Sequence, residues 1–458
     1  MMTRDKLLRI CVFFYAFLNV LYYFSKWEPL FYLALGCLAY VLAISIFNLN
    51  KVSRRVVLGL FIIALALMIY GRATPAQWLK GFNKNGLLIA LFTFGPMLNL
   101  PFTYKDYQSE LKNVAKLYMH TMIPFNLLIA IPTHIFGALT GFAAFAIMYN
   151  LFLDTSKLYD SEDIFLATLG RSYSTGGFWG TSWAGVVLVV SELGIPWYRI
   201  ILVGMIFTAV SIGINLASIK LKMLKNPGRY PTLAPEEGTV VRWSNILMML
   251  LLSLIIVLTT LVINQTTGWD LLAIVPLVAM FFPPLVAILQ GKIPEYKKGL
   301  ENYFDKSLYK CRTETCLFCA AGFLAAGLNI SGVGAMIPKL IPTFLIEYPY
   351  LLIVSLMLLL IIPGQLGVHP VATGTTMVAT IVPSAIGLSV PVFAQTIICA
   401  WLLSNMMSPF SALNLTLSGL SGKSSFYTGL KLNWRYGVIC IVVYAAMILV
   451  FGPLLGGL

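Results

Sequence analysis

Four short stretches of this sequence gather hydroxyl, amide and glycine groups inside otherwise apolar surroundings. The first, IPTHIFGALTG (131–141), offers His134, Thr140 and Gly141. The second, RSYSTGGFWGTSWAG (171–185), offers Arg171, Ser174, Thr175, Thr181 and Ser182. The third begins with IPGQLGVHPVATG (362–374) and continues to Ala385, offering His369, Thr373, Gly374, Thr375 and Thr376. The fourth, SNMMSPFSAL (404–413), offers Ser404, Asn405 and Ser408.

Groups of these types suit the binding of a small charged solute. A helix that starts or stops inside an apolar region leaves backbone N–H and C=O groups without helical partners. Its N-terminus carries a positive dipole end and suits an anion. Its freed carbonyls and nearby hydroxyls suit Na⁺, a hard cation. We therefore expect these residues to line a solute site, with Thr140, Ser182, Thr376 and Ser408 as sodium ligands. The plainer alternative is that each Ser or Thr bonds to a carbonyl a turn back or to a neighbouring helix. His134 and His369 are expected to donate to an anion or to carry a coupling proton, the alternative being a bond to tip backbone. Arg171 could hold a carboxylate with its fork, or snorkel toward a membrane surface.

What is missing narrows the chemistry. No Asp or Glu falls in the middle of an expected span; Glu192 and Asp270 sit at span ends. Coupling through a buried carboxylate is therefore not expected, which leaves sodium or a histidine proton. No GxxxxGK[ST] occurs, so the drive is expected to be an ion gradient. Cys311, Cys316 and Cys319 include a CxxC spacing, but without a second pair they read as small apolar filler. No cofactor is expected beyond Na⁺ as a coupling ion.

The elements that would hold these groups are membrane helices. Of 458 residues, 59% are hydrophobic and 10% charged, where a soluble protein carries roughly 25% charged. Residues 246–263 contain no charge. Spans are expected near 10–25, 29–47, 56–70, 86–103, 164–190, 197–218, 246–264, 270–290, 316–337, 391–420 and 436–454. Two apolar stretches, 117–153 and 350–387, are too long for one span and interrupted within. They read as re-entrant hairpins, tolerated where protein or a wet cavity satisfies the tip backbone. Each hairpin is followed by a broken helix (164–190 and 391–420) and a closing helix.

That order, occurring twice, is an internal repeat. The fold class expected is all-α and polytopic, with about eleven spans, two opposed hairpins and inverted repeats. The chain divides into N-terminal scaffold helices (1–85), a first repeat (86–218), a cytoplasmic linker (219–245), further scaffold helices with a charged loop at 291–315 (246–315), and a second repeat (316–458).

The net charge of +14 does not indicate nucleic acid. Most of the 31 basic residues collect in short loops on one side, if the N-terminus is cytoplasmic and each hairpin returns to its own side. Arg72, Lys80 and Lys84 fall on the other side, with Trp78 among them, and suggest an interfacial helix. No cleavable signal peptide is expected; the location expected is a bacterial inner membrane, with lipid and a small solute as partners.

The architecture resembles the ion transporter superfamily, which includes the divalent anion:sodium symporters. The stretch 369–385 resembles that family's small-polar hairpin tip, Ser404–Pro409 its second unwound helix and Tyr173–Gly185 its first. The resemblance covers roughly residues 85–458 in architecture. It implies substrate and sodium at the tips and unwound helices, movement of one domain against a scaffold, and a homodimer. Neither tip carries the family's Ser-Asn-Thr motif, which implies a distant branch with its own substrate. The function expected is ion-coupled transport of a small anion, not an enzymatic one. Alternatives are a membrane enzyme acting on a lipid-linked substrate, a channel, or the membrane subunit of a multi-component uptake system.

Overall fold

The computed structural model describes residues 4–140, 142–234, 236 and 238–455. Among them there is no strand, and the chain is an all-α polytopic membrane protein. Eleven helical segments are long and apolar enough to cross a bilayer, as required where backbone groups must be satisfied without water. These match the expected spans with one exchange. Met122–Leu139, an arm of the first expected hairpin, reaches spanning length. The first broken helix does not, because its interruption leaves two shorter halves.

The chain opens with α1 (Arg4–Ser25) and α2 (Glu28–Ser45), joined by a tight link in which Lys26 takes φ 54°. Asn50 caps α3 (Lys51–Tyr70), accepting the Ser53 N–H at 2.8 Å. A capping box of Thr74 and Gln77 starts α4 (Pro75–Phe82), which carries Trp78 and Lys80. After α5 (Gly86–Phe94) the chain continues as 3₁₀ helix over Gly95–Thr103 to α6 (Tyr107–Tyr118).

The first helix pair is α7 (Met122–Thr140) and α8 (Phe142–Leu158). The expected interruption at 131–141 is narrower than the sequence suggests. Helix α7 runs unbroken through Pro132, held by packing against neighbouring helices, and the chain reverses after Thr140. Then come α9 (Glu162–Thr175), a 3₁₀ turn (Gly176–Phe178), α10 (Ala184–Leu193) and the long α11 (Trp197–Lys225).

In the second half, α12 (Trp243–Thr267) and α13 (Leu271–Leu289) lead to α14 (Ile293–Asn302), a π-helical turn (Tyr303–Ser307) and α15 (Leu308–Ile330). The expected charged loop at 291–315 is thus helical from Ile293 onward: its charges lie along a helix that enters the apolar region from outside. After α16 (Thr343–Glu347), the second pair is α17 (Pro349–Gln365) and α18 (Pro370–Thr380). It turns through Leu366–His369, where Gly367 takes φ 95°, a region open to glycine. The rest is α19 (Val390–Met407), α20 (Ala412–Ser421), a π turn (Tyr427–Lys431) and α21 (Leu432–Leu455). Helix pair, broken helix and long closing helix therefore occur twice in order.

The linker is shorter than 219–245, because α11 continues to Lys225. What remains is a strap bound to α6. Leu233 N–H donates to His120 O at 2.9 Å, Lys116 pairs with Glu236 at 2.8 Å, and Glu110 accepts the Arg242 N–H and the Asn245 amide.

The broken helices run antiparallel. The start of α9 meets the end of α20 through Asp163 and Lys423, 3.0 Å apart. At mid-length, α10 meets α19 where Trp401 packs on Gly185.

Candidate functional site

The first break is built by close backbone approach. A Cβ at Gly176 would lie 2.6 Å from the Ala138 N, and one at Gly180 would lie 2.4 Å from the Ala138 O. Only glycine lets the break seat itself on the last turn of α7. The last carbonyls of a helix have no helical donor. Here Ser182 Oγ donates to Ala138 O at 2.9 Å and Trp183 Nε1 donates to Gly137 O at 2.8 Å.

His134 sits inside α7 beneath this seat and is buried. Its Nε2 accepts from Trp179 Nε1 at 3.2 Å. The proton of the neutral ring is therefore on Nδ1, which donates to Thr175 Oγ1 at 2.9 Å. Thr175 Oγ1 in turn donates to Ser172 O at 2.6 Å. Both ring nitrogens are used by the chain. Ser174 Oγ bonds back to Gly170 O at 2.9 Å, and Thr181 is buried beside the break. Thr140 ends α7; Gly141 lies outside the described residues.

The second break is closed differently. Asn414 Nδ2 donates to the carbonyls of Met406 and Ser408, each at 2.9 Å, tying α20 back onto the end of α19. Ser408 Oγ donates to Gly364 O at 2.6 Å and accepts the Phe410 N–H at 3.1 Å, joining the break to the end of α17. Ser404 Oγ packs on Gly364, where a Cβ would come within 2.1 Å. His369 caps α18, its Nδ1 accepting the Val371 N–H at 3.2 Å. The ring proton is then on Nε2, for which no bond is described. The N-terminus of α18 is accordingly less open than expected: Val371 N–H goes to the ring and Ala372 N–H to His369 O.

Exposure separates these residues. Across 164–190 every residue is buried except Ser182, and across 392–409 every residue is buried except Asn405. Each break thus opens at one polar side chain. On α18, His369, Thr373 and Thr376 are half-buried, at the i, i+4, i+7 spacing of one face. Gly374 and Thr375 face inward, Gly374 against Trp401. Thr375 Oγ1, Ser404 Oγ, Gln365 Oε1 and Asn414 Oδ1 are buried with no hydrogen-bond partner from the described residues, an arrangement that costs about 1–3 kcal/mol per group.

Arg171 does not join this set. Its Nε donates to Asn433 Oδ1 at 2.9 Å, one terminal nitrogen to Asn215 Oδ1 at 2.9 Å, and the other to Leu432 O at 2.8 Å. Its guanidinium carbon lies 4.4 Å from the centre of the Tyr436 ring. From Asn215 the bonds continue through Thr168 to Asn126 on α7. The guanidinium is buried and enclosed rather than snorkelling, a clamp joining α9, α11 and α21.

At the Asp163 end lies a charged cavity of about 460 Å³, lined in part by Asp160, Glu162, Asp163, Lys222, Arg229 and Lys423. Burial alone would push the Asp163 carboxyl up, but the Tyr427 hydroxyl and the Lys423 ammonium hold it below its ordinary value. Asp163 likewise raises Lys423. The groove outside α7, lined by residues such as Ile131, Ile135, Trp243 and Met249, exposes only apolar surface and offers nothing to an anion.

Sequence reasoning missed Trp179, Trp183, Asn414 and Trp401. Trp183 and Asn414 lay within or just beyond the quoted breaks, and their polar atoms were the available signal.

No family model matches the sequence, and no curated protein is significantly similar to it. A solved structure, the YdaH transporter of Alcanivorax borkumensis, superposes with a TM-score of 0.55 at 13% identity. The two share a fold. The match covers 84% of this chain and 88% of that one. The topology of that transporter is an unusual one.

Proposed function

We propose that this chain is an ion-coupled secondary transporter of a small anionic solute, working by alternating access in a bacterial inner membrane. The single accessible polar residue at each helix break, Ser182 and Asn405, carries this reading. A channel lining would expose a continuous file of groups; one opening per break fits a closed site reached by movement. The half-buried face of α18 supplies His369 Nε2–H and the hydroxyls of Thr373 and Thr376, donors suited to an anion. Thr140, Ser174, Thr175, Thr181, Gly374 and Ser404 form the surrounding frame of the proposed site. The fold likeness to a transporter supports the same reading.

On this reading the helix pairs are re-entrant hairpins of opposed, inverted repeats, and the N-terminus is cytoplasmic. The mobile part moves against a scaffold that includes α1–α3 and α15, and two copies associate. Buried oxygens without partners, such as Ser404 Oγ and Gln365 Oε1, suit a coupling cation. Sodium would sit near Ser182, Thr376 and Ser408.

The test is thermal unfolding of the purified protein against a panel of organic and inorganic anions, in Na⁺ and in K⁺. Ligand that binds the folded state raises apparent stability by mass action, about 2.7 kcal/mol at a hundredfold excess over Kd. A shift with one anion that Asn405→Ala abolishes supports the site. No shift with any anion in either salt overturns it.

A further inference from the structure

The helix that replaces the expected loop at 291–315 changes the position of one carboxyl group. Glu314 lies on α15, sixteen residues before its end at Ile330. At ~1.5 Å per residue that is roughly 24 Å, less than the ~30 Å of hydrocarbon that a spanning helix crosses. Glu314 therefore lies within a segment long and apolar enough to span, where an unpaired charge is costly and an acid is by default a functional candidate.

Its surroundings are unusual for a structural acid. Oε2 is buried and has no hydrogen-bond partner. The residue as a whole is half-buried. Among the described residues no Lys, Arg or His forms an ion pair with it. Lys310, one turn earlier, is the charged group that acts on it, and the buried thiols Cys311 and Cys316 flank it.

The elements packed on α15 bring other charges, among them Asp305 and Lys306 on the π turn, Glu28 at the start of α2 and Lys339 between α15 and α16. On α3, Arg54 and Arg55 are the cations nearest its level, since α3 and α15 run parallel and end together at Gly71 and Ser331. On α1, Arg9 is engaged with Asp305 at 2.6 Å. On α4, Lys80 lies level with Phe323, beside Gly81. On α18 the titratable group is His369; on α15 itself, Arg312 stacks over Tyr309 at 3.8 Å.

Two further features place Glu314 in a working position. A π-helical turn, Tyr303–Ser307, precedes it by two turns of helix, and such turns recur at functional sites. Helix geometry also gives its direction. Gly322 faces Asn85 and Gly327 faces α3. At ~100° per residue Glu314 lies roughly 80° and 140° from those faces, turned away from both, and α18 is among the helices packed on α15. Helix α18 carries His369, Thr373 and Thr376.

We infer that Glu314 is a proton-exchanging carboxyl group, through which the chain couples to a proton gradient. The inference rests on the transport reading but changes its coupling ion, setting a proton at Glu314 in place of sodium near Ser182, Thr376 and Ser408. The carboxylate takes a proton from hydronium, leaving water and a neutral acid that the apolar surroundings tolerate. When access changes sides, the acid returns the proton to water there. This differs from the coupling that the sequence led us to expect, because Glu314 there lay in a loop.

Two measurements on the purified full chain test it without any solute. The first is labelling by dicyclohexylcarbodiimide, which adds to protonated carboxyl groups in apolar surroundings, read by peptide mass spectrometry. We expect Glu314 to label at neutral pH while the exposed Glu301 does not, and Glu314→Gln to abolish that adduct. The second is the unfolding temperature across neutral pH. A group that folding keeps protonated loses its stabilising contribution as pH rises, so the wild-type midpoint should fall and the Glu314→Gln midpoint should stay flat. Labelling only at acid pH, together with Glu301, overturns the inference. So does a wild-type midpoint as flat as that of Glu314→Gln. If Glu314 labels but no anion shifts stability, the proton site stands and the transport reading falls.

Discussion

The Trp401 ring occupies the space that a side chain at Gly374 would need: a Cβ there would come within 2.3 Å of the indole. The same ring lies 3.0 Å from the Cβ position of Gly185. One tryptophan of the second broken helix thus holds the second helix pair and the first broken helix together. Gly374→Ala should lower stability by about 1–3 kcal/mol, the usual range for overpacking. Adding Trp401→Phe should recover part of the loss. Thermal unfolding of the two variants and their combination checks this.

The two histidines should behave oppositely. His134 bonds the chain through both nitrogens, so His134→Ala should lower the unfolding temperature by removing a buried network. His369→Asn keeps an N-cap, since Asn is among the best caps, but removes the Nε2 donor. It should leave stability within about 0.5 kcal/mol, as for a tolerated surface change, and weaken anion binding. Equal effects on stability from both substitutions would contradict this assignment.

Arg171 is expected to act on folding rather than on ligand. Lysine cannot reach Asn433, Asn215 and Leu432 O together as the guanidinium does. Arg171→Lys should cost about 1.5–3 kcal/mol for each charged hydrogen bond lost, with anion affinity in the surviving folded protein unchanged. A binding titration beside the melt separates the two.

The Asp163–Lys423 pair closes the charged end of the two broken helices. Asp163 is held below its ordinary value, so its contribution is present above the unfolded carboxyl range and lost as pH falls through its folded value. Lys423 is raised, so its contribution is present below the unfolded lysine range and lost as pH rises through its folded value. Both act in full near neutral pH. The pair is partly exposed, so a double-mutant cycle with Asp163→Asn and Lys423→Gln should give about 0.2–1 kcal/mol, falling with salt and with acid.

The sequence revealed the repeat because Pro, Gly and hydroxyl residues interrupt apolar runs at matching distances. Ser182, Asn405, Thr373 and Thr376 were legible for that reason. Sequence drew the first turn too broadly, at 131–141, because Pro132 looked like a break, whereas packing carries α7 on to Thr140. It also read the charges of 291–315 as a loop, hiding Glu314 inside a helix. The partners of Arg171 were invisible: Asn215 and Asn433 are distant in sequence, and only the fold brings their oxygens to one guanidinium.

The central claim is that the second break is reached from alternate sides of the membrane. The direct measurement is the reaction of Asn405→Cys with an impermeant maleimide, in right-side-out and in inverted vesicles, with the ion gradient imposed in each direction. Native background is small, because Cys11 and Cys37 are half-buried and the other cysteines buried. Alternating access predicts labelling from both sides, with the favoured side changing as the gradient is reversed. Labelling from one side alone under every gradient would contradict it.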